Sequence, residues 1–137
     1  MLWRTDRVRV DHVGSSEQEI HAVIKVSPFT NEFLFSAIYA SPRSRDRDIL
    51  WENLRTVSDN NNLPWIAAGD FNEVLRAEDK KCGNPVSATR LRKFHSCLFD
   101  CSLDELAVSG PKFTWSNRRN LANLIQERID LAFANLD

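Results

Sequence analysis

The strongest structural signal in this 137-residue chain is the stretch Pro64-Trp65-Ile66-Ala67-Ala68-Gly69-Asp70-Phe71-Asn72. Its short apolar run, which ends in a glycine, predicts a buried β-strand. Asp70 and Asn72 then lie in a loop at the carboxyl end of that strand. A carboxylate and an amide placed in this way can hold a hard cation, a phosphate oxygen or an attacking water. The alternative is that the two residues only form an Asx-type turn.

Strand-like and helix-like segments surround this stretch. Alternating apolar residues predict three antiparallel strands at 7–13, 20–26 and 33–39, and further short strands at 113–115 and 125–133. Ser44 is predicted to cap a helix that runs to about residue 59, and Ser87 to cap a second helix. The apolar stripes of these helices comprise Ile49, Leu50, Leu54 and Val57 with Trp51 beside them, and then Leu91, Phe94 and Leu98. Strands that alternate with helices predict an α/β fold, in which helices pack on a mixed sheet.

Composition bounds the class of protein. A chain of 137 residues with 42% hydrophobic and 27% charged residues is typical of one globular domain. No apolar run approaches the roughly 18 residues of a membrane span, so no membrane partner is predicted. Three cysteines without paired spacing favour a reducing, intracellular compartment. The net charge of −1 does not indicate a nucleic-acid partner, and the arginine clusters at 43–47, 90–93 and 118–119 are each predicted to be solvated surface.

Two more residues with useful chemistry stand on predicted strands. Tyr39 ends the third strand, and its phenol can donate a hydrogen bond to a phosphate oxygen. Asp130 lies in the last predicted strand, where a buried carboxylate can orient a histidine or bind a metal ion. The alternatives are that Tyr39 forms an amphipathic edge of the core and that Asp130 pairs with Arg128 across a strand.

Four segments, in this order, resemble the endonuclease/exonuclease/phosphatase superfamily. They are Ile-Tyr-Ala-Ser-Pro at 38–42, the stretch at 64–72, Phe-Thr-Trp-Ser-Asn at 113–117 and Glu-Arg-Ile-Asp at 127–130. More narrowly, they resemble the apurinic-type endonuclease domain of LINE-type non-LTR retrotransposons, especially plant copies, and segments 50–54 and 80–85 also fit that group. The resemblance implies that residues 1–137 are part of one such domain. The implied fold is a fragment of a four-layered α/β sandwich, with two packed mixed sheets flanked by helices.

The resemblance also implies an activity, which is the hydrolysis of DNA phosphodiester bonds with Mg²⁺ or Mn²⁺. Tyr39 would then hydrogen-bond the scissile phosphate. Asp70 would hold the attacking water, and Asn72 would help to position water or phosphate. Asp130 would correspond to the carboxylate that orients the family's catalytic histidine. The same resemblance assigns the wall of the site and a nearby polar contact to Phe113, Trp115 and Asn117.

Two parts of the family pattern have no counterpart in this sequence. The family's early Asn motif and metal-binding Glu precede the strand that starts here near Leu2, and its Ser-Asp-His motif follows the segment that contains Asp130. All three histidines precede Asp130. We therefore expect a domain truncated at both ends, with no metal ligand assigned and little activity of its own, in an intracellular location that includes the nucleus.

Two other functions fit the sequence. One is a non-catalytic retroelement remnant that binds nucleic acid weakly through its arginine clusters. The other is a phosphoesterase that acts on a small phosphoester. The sequence gives no indication of the oligomeric state.

Overall fold

The computed structural model describes residues 4–135, which form a six-stranded mixed sheet, a three-stranded sheet and two α-helices. The predicted α/β fold is confirmed, whereas the strand start near Leu2 lies outside the described residues. In chain order the elements are β1 (Val8–Ser15), β2 (Glu19–Val26), β3 (Glu32–Tyr39), α1 (Ser44–Asn60), β4 (Trp65–Asp70), β5 (Lys80–Lys81), α2 (Ala88–Asp100), β6 (Asp104–Glu105), β7 (Trp115–Ser116), β8 (Gln126–Glu127) and β9 (Asp130–Ala134).

The six-stranded sheet has the order β1-β2-β3-β4-β9-β6. Strands β1 to β3 form the predicted antiparallel meander. Strand β4 pairs with β3 in parallel, and α1 supplies the crossover that a parallel connection requires. Strand β9 then pairs with β4 in the antiparallel sense. As a result, the end of β3, the end of β4 and the start of β9 lie side by side.

The three-stranded sheet, β5-β8-β7, is antiparallel throughout. The predicted strand at 125–133 is divided between the two sheets, because two residues in its middle bond elsewhere. The amide of Arg128 donates to the carbonyl of Asp79 (2.8 Å), and the carbonyl of Ile129 accepts from the amide of Phe71 (2.9 Å). Of the predicted strand at 113–115, only Trp115 lies in a strand, the two-residue β7.

The core lies between one face of the large sheet and the two helices. Aromatic rings dominate it: the ring centres of Trp51 and Phe94 are 4.8 Å apart, and Phe71 meets Phe133 edge to face at 5.2 Å. Trp65, at the start of β4, is fully buried in the same cluster. This packing holds β4 and β9 against the two helices.

The helix predictions are confirmed for α2 and partly wrong for α1. Ser87 caps α2 by accepting a hydrogen bond from the amide of Arg90 (3.3 Å). Ser44 is the first residue of α1 rather than its cap. Ile49 is 60% exposed and does not belong to the buried stripe of α1. Arg47 is buried in its place, on the same face of the helix as the core residues at positions 50, 51 and 54.

Candidate active site

Three of the residues predicted from the sequence form a row across adjacent strands. The strand register pairs Tyr39 of β3 with Asp70 of β4, and Asp70 with Asp130 of β9. Side chains of directly paired residues project from the same face of a sheet. Tyr39 is 73% exposed, Asp130 is exposed and Asp70 is half-buried. We call these three residues the strand-end row.

Gly69 is required where β3 and β4 approach each other below the row. Its φ angle is +143°, and a Cβ atom at this position would clash with the carbonyl oxygen of Ile38. A side chain at position 69 would therefore force the two strands apart directly before Asp70.

Asp70 and Asn72 do form an Asx turn, and this turn also joins the ends of β3 and β4. Asn72 has a φ of +46°, and its backbone amide donates to Oδ1 of Asp70 (2.8 Å). Its side-chain Nδ2 donates to the carbonyl of Ala40 (2.6 Å), and the amide of Ala40 donates to the carbonyl of Asp70 (2.8 Å). The turn leaves Oδ2 of Asp70 and Oδ1 of Asn72 for a ligand, so the turn and a binding role are compatible.

The pKa of the Asp70 carboxyl lies above its ordinary value. Burial is the main cause, and the neighbouring Asp130 carboxylate raises the pKa further, whereas the hydrogen bond from Asn72 lowers it. The charged form of Asp70 is therefore disfavoured by both its surroundings and its neighbour. A cation or a phosphate-bound cation at this point would relieve the repulsion between the two carboxylates.

Thr114 fixes the start of β9, on which Asp130 lies. Its Oγ1 accepts hydrogen bonds from the amides of Ile129 and Asp130, each at 3.2 Å. The alternative pairing of Asp130 with Arg128 is wrong, because the Arg128 guanidinium contacts Glu105 and Asp79 instead. Asp130 is consequently an exposed carboxylate beside Asp70, held in place through its backbone.

The remaining predicted site residues lie in and around β7. Phe113 is half-buried, with Nζ of Lys112 5.4 Å from the centre of its ring, and Trp115 is 44% exposed. The side chain of Asn117 is occupied by its own loop, because Nδ2 donates to the carbonyl of Asn123 (2.9 Å) and Oδ1 accepts from the amide of Ile125 (3.0 Å). A contact between these residues and a substrate stays a prediction.

A buried cluster of charged residues lies behind the ends of β3 and β4. Glu73 accepts from Nη2 of Arg47 (2.9 Å) and from Nε and Nη2 of Arg90 (2.9 and 3.0 Å). The prediction that the first arginine cluster is solvated is wrong for Arg47, which is 1% exposed, because the Glu73 carboxylate neutralises it inside the protein.

Glu73 and Thr114 are missing from the sequence-based site. Both lie within or directly beside the segments that carry the resemblance, at 64–72 and 113–117. Their contacts join distant parts of the chain, so periodicity alone could not reveal them. For Arg47 a signal was present, since it stands three, four and seven residues before buried apolar residues of one helix.

The oxygen atoms at the strand ends suit a hard divalent cation. Asp70 and Asp130 offer carboxylates, and Asn72 offers an amide oxygen. Within residues 4–135, no group of three or more His, Cys, Asp or Glu side chains is arranged to hold a metal ion. Mg²⁺ is commonly held by only one or two carboxylates together with water and substrate phosphate, so the donor set fits such an ion alongside a phosphate group.

None of the three histidines belongs to the strand-end row. Nδ1 of His21 is 2.6 Å from Oγ of Ser36 in the core, and Nε2 of His95 is 2.6 Å from the carbonyl oxygen of Leu75. His12 lies on β1, at the far edge of the sheet from β9.

The fold and the strand-end row define an α/β protein with a polar site at the ends of three neighbouring strands. Solved structures share this fold. The endonuclease domain of TRAS1, a telomere-specific non-LTR retrotransposon, aligns with a TM-score of 0.71 at 18% identity, over 99% of this chain and 59% of that domain. An endonuclease/exonuclease/phosphatase family protein from Bacteroides thetaiotaomicron aligns with a TM-score of 0.57 at 18% identity, over 98% of this chain and 54% of that protein.

The human Nocturnin catalytic domain also aligns, with a TM-score of 0.57 at 15% identity, over 96% of this chain and 50% of that domain. The chain therefore has the fold of the endonuclease/exonuclease/phosphatase proteins, and it spans between 50% and 59% of these three structures. No protein-family model matches the sequence, and a search of curated proteins finds no match. Within residues 4–135, no helix has the length and apolar character needed to cross a membrane.

Proposed function

We propose that the strand-end row is the phosphate- and water-binding part of a phosphodiesterase site that works with a divalent cation on DNA. The observation that carries this proposal is the register that sets Tyr39, Asp70 and Asp130 side by side at the ends of three strands. Phosphoryl transfer depends mainly on positioning and on neutralising charge. A rigid row with one phenol and two carboxylates is suited to both tasks.

Each residue has a task that its surroundings support. Tyr39, with its exposed ring, donates its phenolic hydrogen to a non-bridging phosphate oxygen. Asp70, whose Oδ1 is held by the Asx turn, accepts a hydrogen bond from the attacking water through Oδ2. Asn72 orients water or phosphate through Oδ1, and Asp130 adds negative charge beside Asp70. Asp70 and Asp130 would hold Mg²⁺ or Mn²⁺, which supplies positive charge to the phosphate oxygens when bound.

Four arginines support DNA as the substrate. Arg43 and Arg45 follow the loop after Tyr39, while Arg118 and Arg119 follow β7 of the three-stranded sheet. All four are exposed and form no ion pair within residues 4–135. Exposed guanidinium groups on two separate segments suit a long polyanion better than a small phosphoester. We propose an intracellular site of action that includes the nucleus.

A small phosphoester remains the second candidate, because the fold does not separate the two substrates. A mannosyl-6-phosphatase from Bacteroides thetaiotaomicron aligns with a TM-score of 0.58 at 17% identity, over 98% of this chain. DNA contacts a longer stretch of positively charged surface than a small phosphoester does. Replacing the four arginines therefore tests which of the two substrates is bound.

The rate expected from these 137 residues is low. No histidine is available in the row as a general acid or base, and such a group typically contributes about 10²–10⁴-fold to a rate. We propose that the chain alone binds DNA and hydrolyses it slowly or not at all. Its contribution is the positioning of phosphate and water.

The test is a nicking and binding assay on supercoiled plasmid DNA with Mg²⁺ or Mn²⁺ and prolonged incubation. Asp70→Asn preserves the shape of the Asx turn and removes the charge. Asp104→Asn, at an exposed carboxylate on β6, is the matched control. Cation-dependent nicking, or cation-dependent DNA binding, that is lost in Asp70→Asn but kept in Asp104→Asn supports the proposal.

A second comparison separates the candidates. Replacing the four arginines by glutamine should weaken DNA binding and reduce its dependence on salt, since each phosphate contact adds to the salt slope. Hydrolysis of p-nitrophenyl phosphate without any effect on DNA would favour the small phosphoester. Absence of both cation-linked DNA binding and any hydrolysis would reject the phosphodiesterase site.

A further inference from the structure

The cluster of Arg47, Glu73 and Arg90 holds together three parts of the chain that meet behind the strand ends. Arg47 comes from the first turn of α1, Glu73 directly follows Asn72, and Arg90 comes from the first turn of α2. The Glu73 carboxylate binds both guanidinium groups, the second through two parallel hydrogen bonds. Arg47 and Glu73 are each 2% exposed in their side chains, and Arg90 is 41% exposed.

The cluster also reaches the backbone that follows β3. Nη1 of Arg47 donates to the carbonyls of Ser41 (3.0 Å) and Pro42 (2.9 Å). One guanidinium therefore connects the segment after Tyr39 with the segment after Asn72. These two segments are also joined at the site itself, by the hydrogen bond from the Asn72 side chain to the carbonyl of Ala40.

Stability alone does not account for this cluster. Buried ion pairs are often no more stabilising than apolar residues of similar size, because removing the charges from water is costly. Here two positive charges meet one carboxylate, and the buried Nε of Arg47 has no hydrogen-bond partner within residues 4–135. The directional bonds of the two guanidinium groups offer instead a fixed geometry, which apolar side chains do not provide.

We propose that Arg47, Glu73 and Arg90 are positioning residues that fix the ends of β3 and β4 relative to each other, and so orient Tyr39, Asp70 and Asn72. The benefit of that orientation rests on the proposed function, but the orientation itself is a structural property. Its test therefore uses readouts that need no hydrolysis. If the nicking assay fails, these structural measurements still test the inference.

The experiment replaces the cluster with apolar residues in the triple variant Arg47→Met, Glu73→Leu and Arg90→Met. Two quantities are measured on the full chain: the urea midpoint of unfolding, and the hydrogen exchange of the Asn72 side-chain amide by NMR. We expect a midpoint equal to or higher than that of the original chain. We also expect exchange of the Asn72 amide to become at least about tenfold faster, because its bond to Ala40 opens more often.

The matched control removes another ion pair between the same helices. Nζ of Lys93 on α2 lies 2.7 Å from Oδ2 of Asp48 on α1, in an exposed position. The double variant Asp48→Asn and Lys93→Met should leave the exchange of the Asn72 side-chain amide unchanged. Arg90 is partly exposed, so replacing it alone is a milder test. Arg90→Met should speed the exchange of the Asn72 side-chain amide by about threefold without unfolding the chain.

Two results would overturn the inference. One is unchanged exchange of the Asn72 side-chain amide in a folded triple variant, or in Arg90→Met if the triple variant does not fold. The other is a fall of the urea midpoint with an equal loss of protection along all of β3 and β4, which would assign the cluster to general stability.

Discussion

At the scale of single residues, the ionised form of Asp70 carries a cost in stability. Its raised pKa means that the folded chain binds a proton at Asp70 more tightly than the unfolded chain does. The stability that this group contributes is therefore present below the unfolded pKa of about 3.9, and it is lost as the pH rises through the folded pKa. At neutral pH, the ionised Asp70 destabilises the fold.

The first prediction follows from the raised pKa of Asp70. Asp70→Asn should raise the free energy of unfolding at pH 7, because the neutral amide keeps the acceptor for the Asn72 amide and removes the repulsion from Asp130. Since water screens this partly exposed carboxylate, the gain should not exceed about 0.5 kcal/mol. The gain should shrink as the pH falls through the folded pKa of Asp70, and it should vanish below the unfolded pKa of about 3.9. Urea titrations at several pH values measure it, with Asp104→Asn as the control. A variant less stable than the original chain at pH 7 would contradict the assigned burial and repulsion.

At the scale of elements, the close approach of β3 and β4 depends on Gly69. The second prediction is that Gly69→Ala destabilises the chain by about 3 kcal/mol or more, because a strained φ angle is joined by a clash with the Ile38 carbonyl. Gly110→Ala is a matched control, since Gly110 has a similar φ of +136° but has no atom within 4 Å of an added Cβ. Urea unfolding of both variants separates strain from clash. Equal effects at the two positions would show that the close approach is unimportant.

At the scale of the whole molecule, pH acts on the core through His21. Burial lowers the pKa of His21 and outweighs the opposing effect of Glu19, and the charge of His12 lowers it further. The proton thus binds better to the unfolded chain. The contribution to stability is complete above the unfolded pKa of about 6.5 and is lost as the pH falls through the lower, folded pKa.

The third prediction is an acid-side loss of stability carried by this one histidine. Between the unfolded pKa of about 6.5 and the lower, folded pKa of His21, the free energy of unfolding should fall by up to about 1.4 kcal/mol per pH unit, and below the folded pKa this loss should level off. Urea titrations between pH 8 and pH 5 measure the slope. His21→Gln should remove this part of the slope, and His12→Gln, on the exposed face of β1, should keep most of it. An unchanged slope in His21→Gln would assign the effect to other groups.

Much of the large sheet could be predicted from local patterns, because β1 to β4 and the cap of α2 are set by alternation and by nearby polar residues. The small sheet could not, since β5, β7 and β8 are two residues long and exist only through pairing between distant segments. In the site, the positions of Tyr39, Asp70 and Asp130 at strand ends followed from the motifs. Their shared register depends on tertiary contacts. The spacing of Arg47 to the apolar stripe of α1 was a sign of its burial, but nothing local pointed to Glu73 as its partner.

We propose above all that the ends of β3, β4 and β9 hold a divalent cation beside a phosphate. The most direct measurement is an NMR titration of the chain with paramagnetic Mn²⁺, with and without a short DNA duplex, alongside the double variant Asp70→Asn and Asp130→Asn. We predict that signals of Asp70, Asn72 and Asp130 broaden first, that DNA strengthens the effect, and that the double variant abolishes it. Broadening that begins elsewhere, or that persists in the double variant, would contradict the claim.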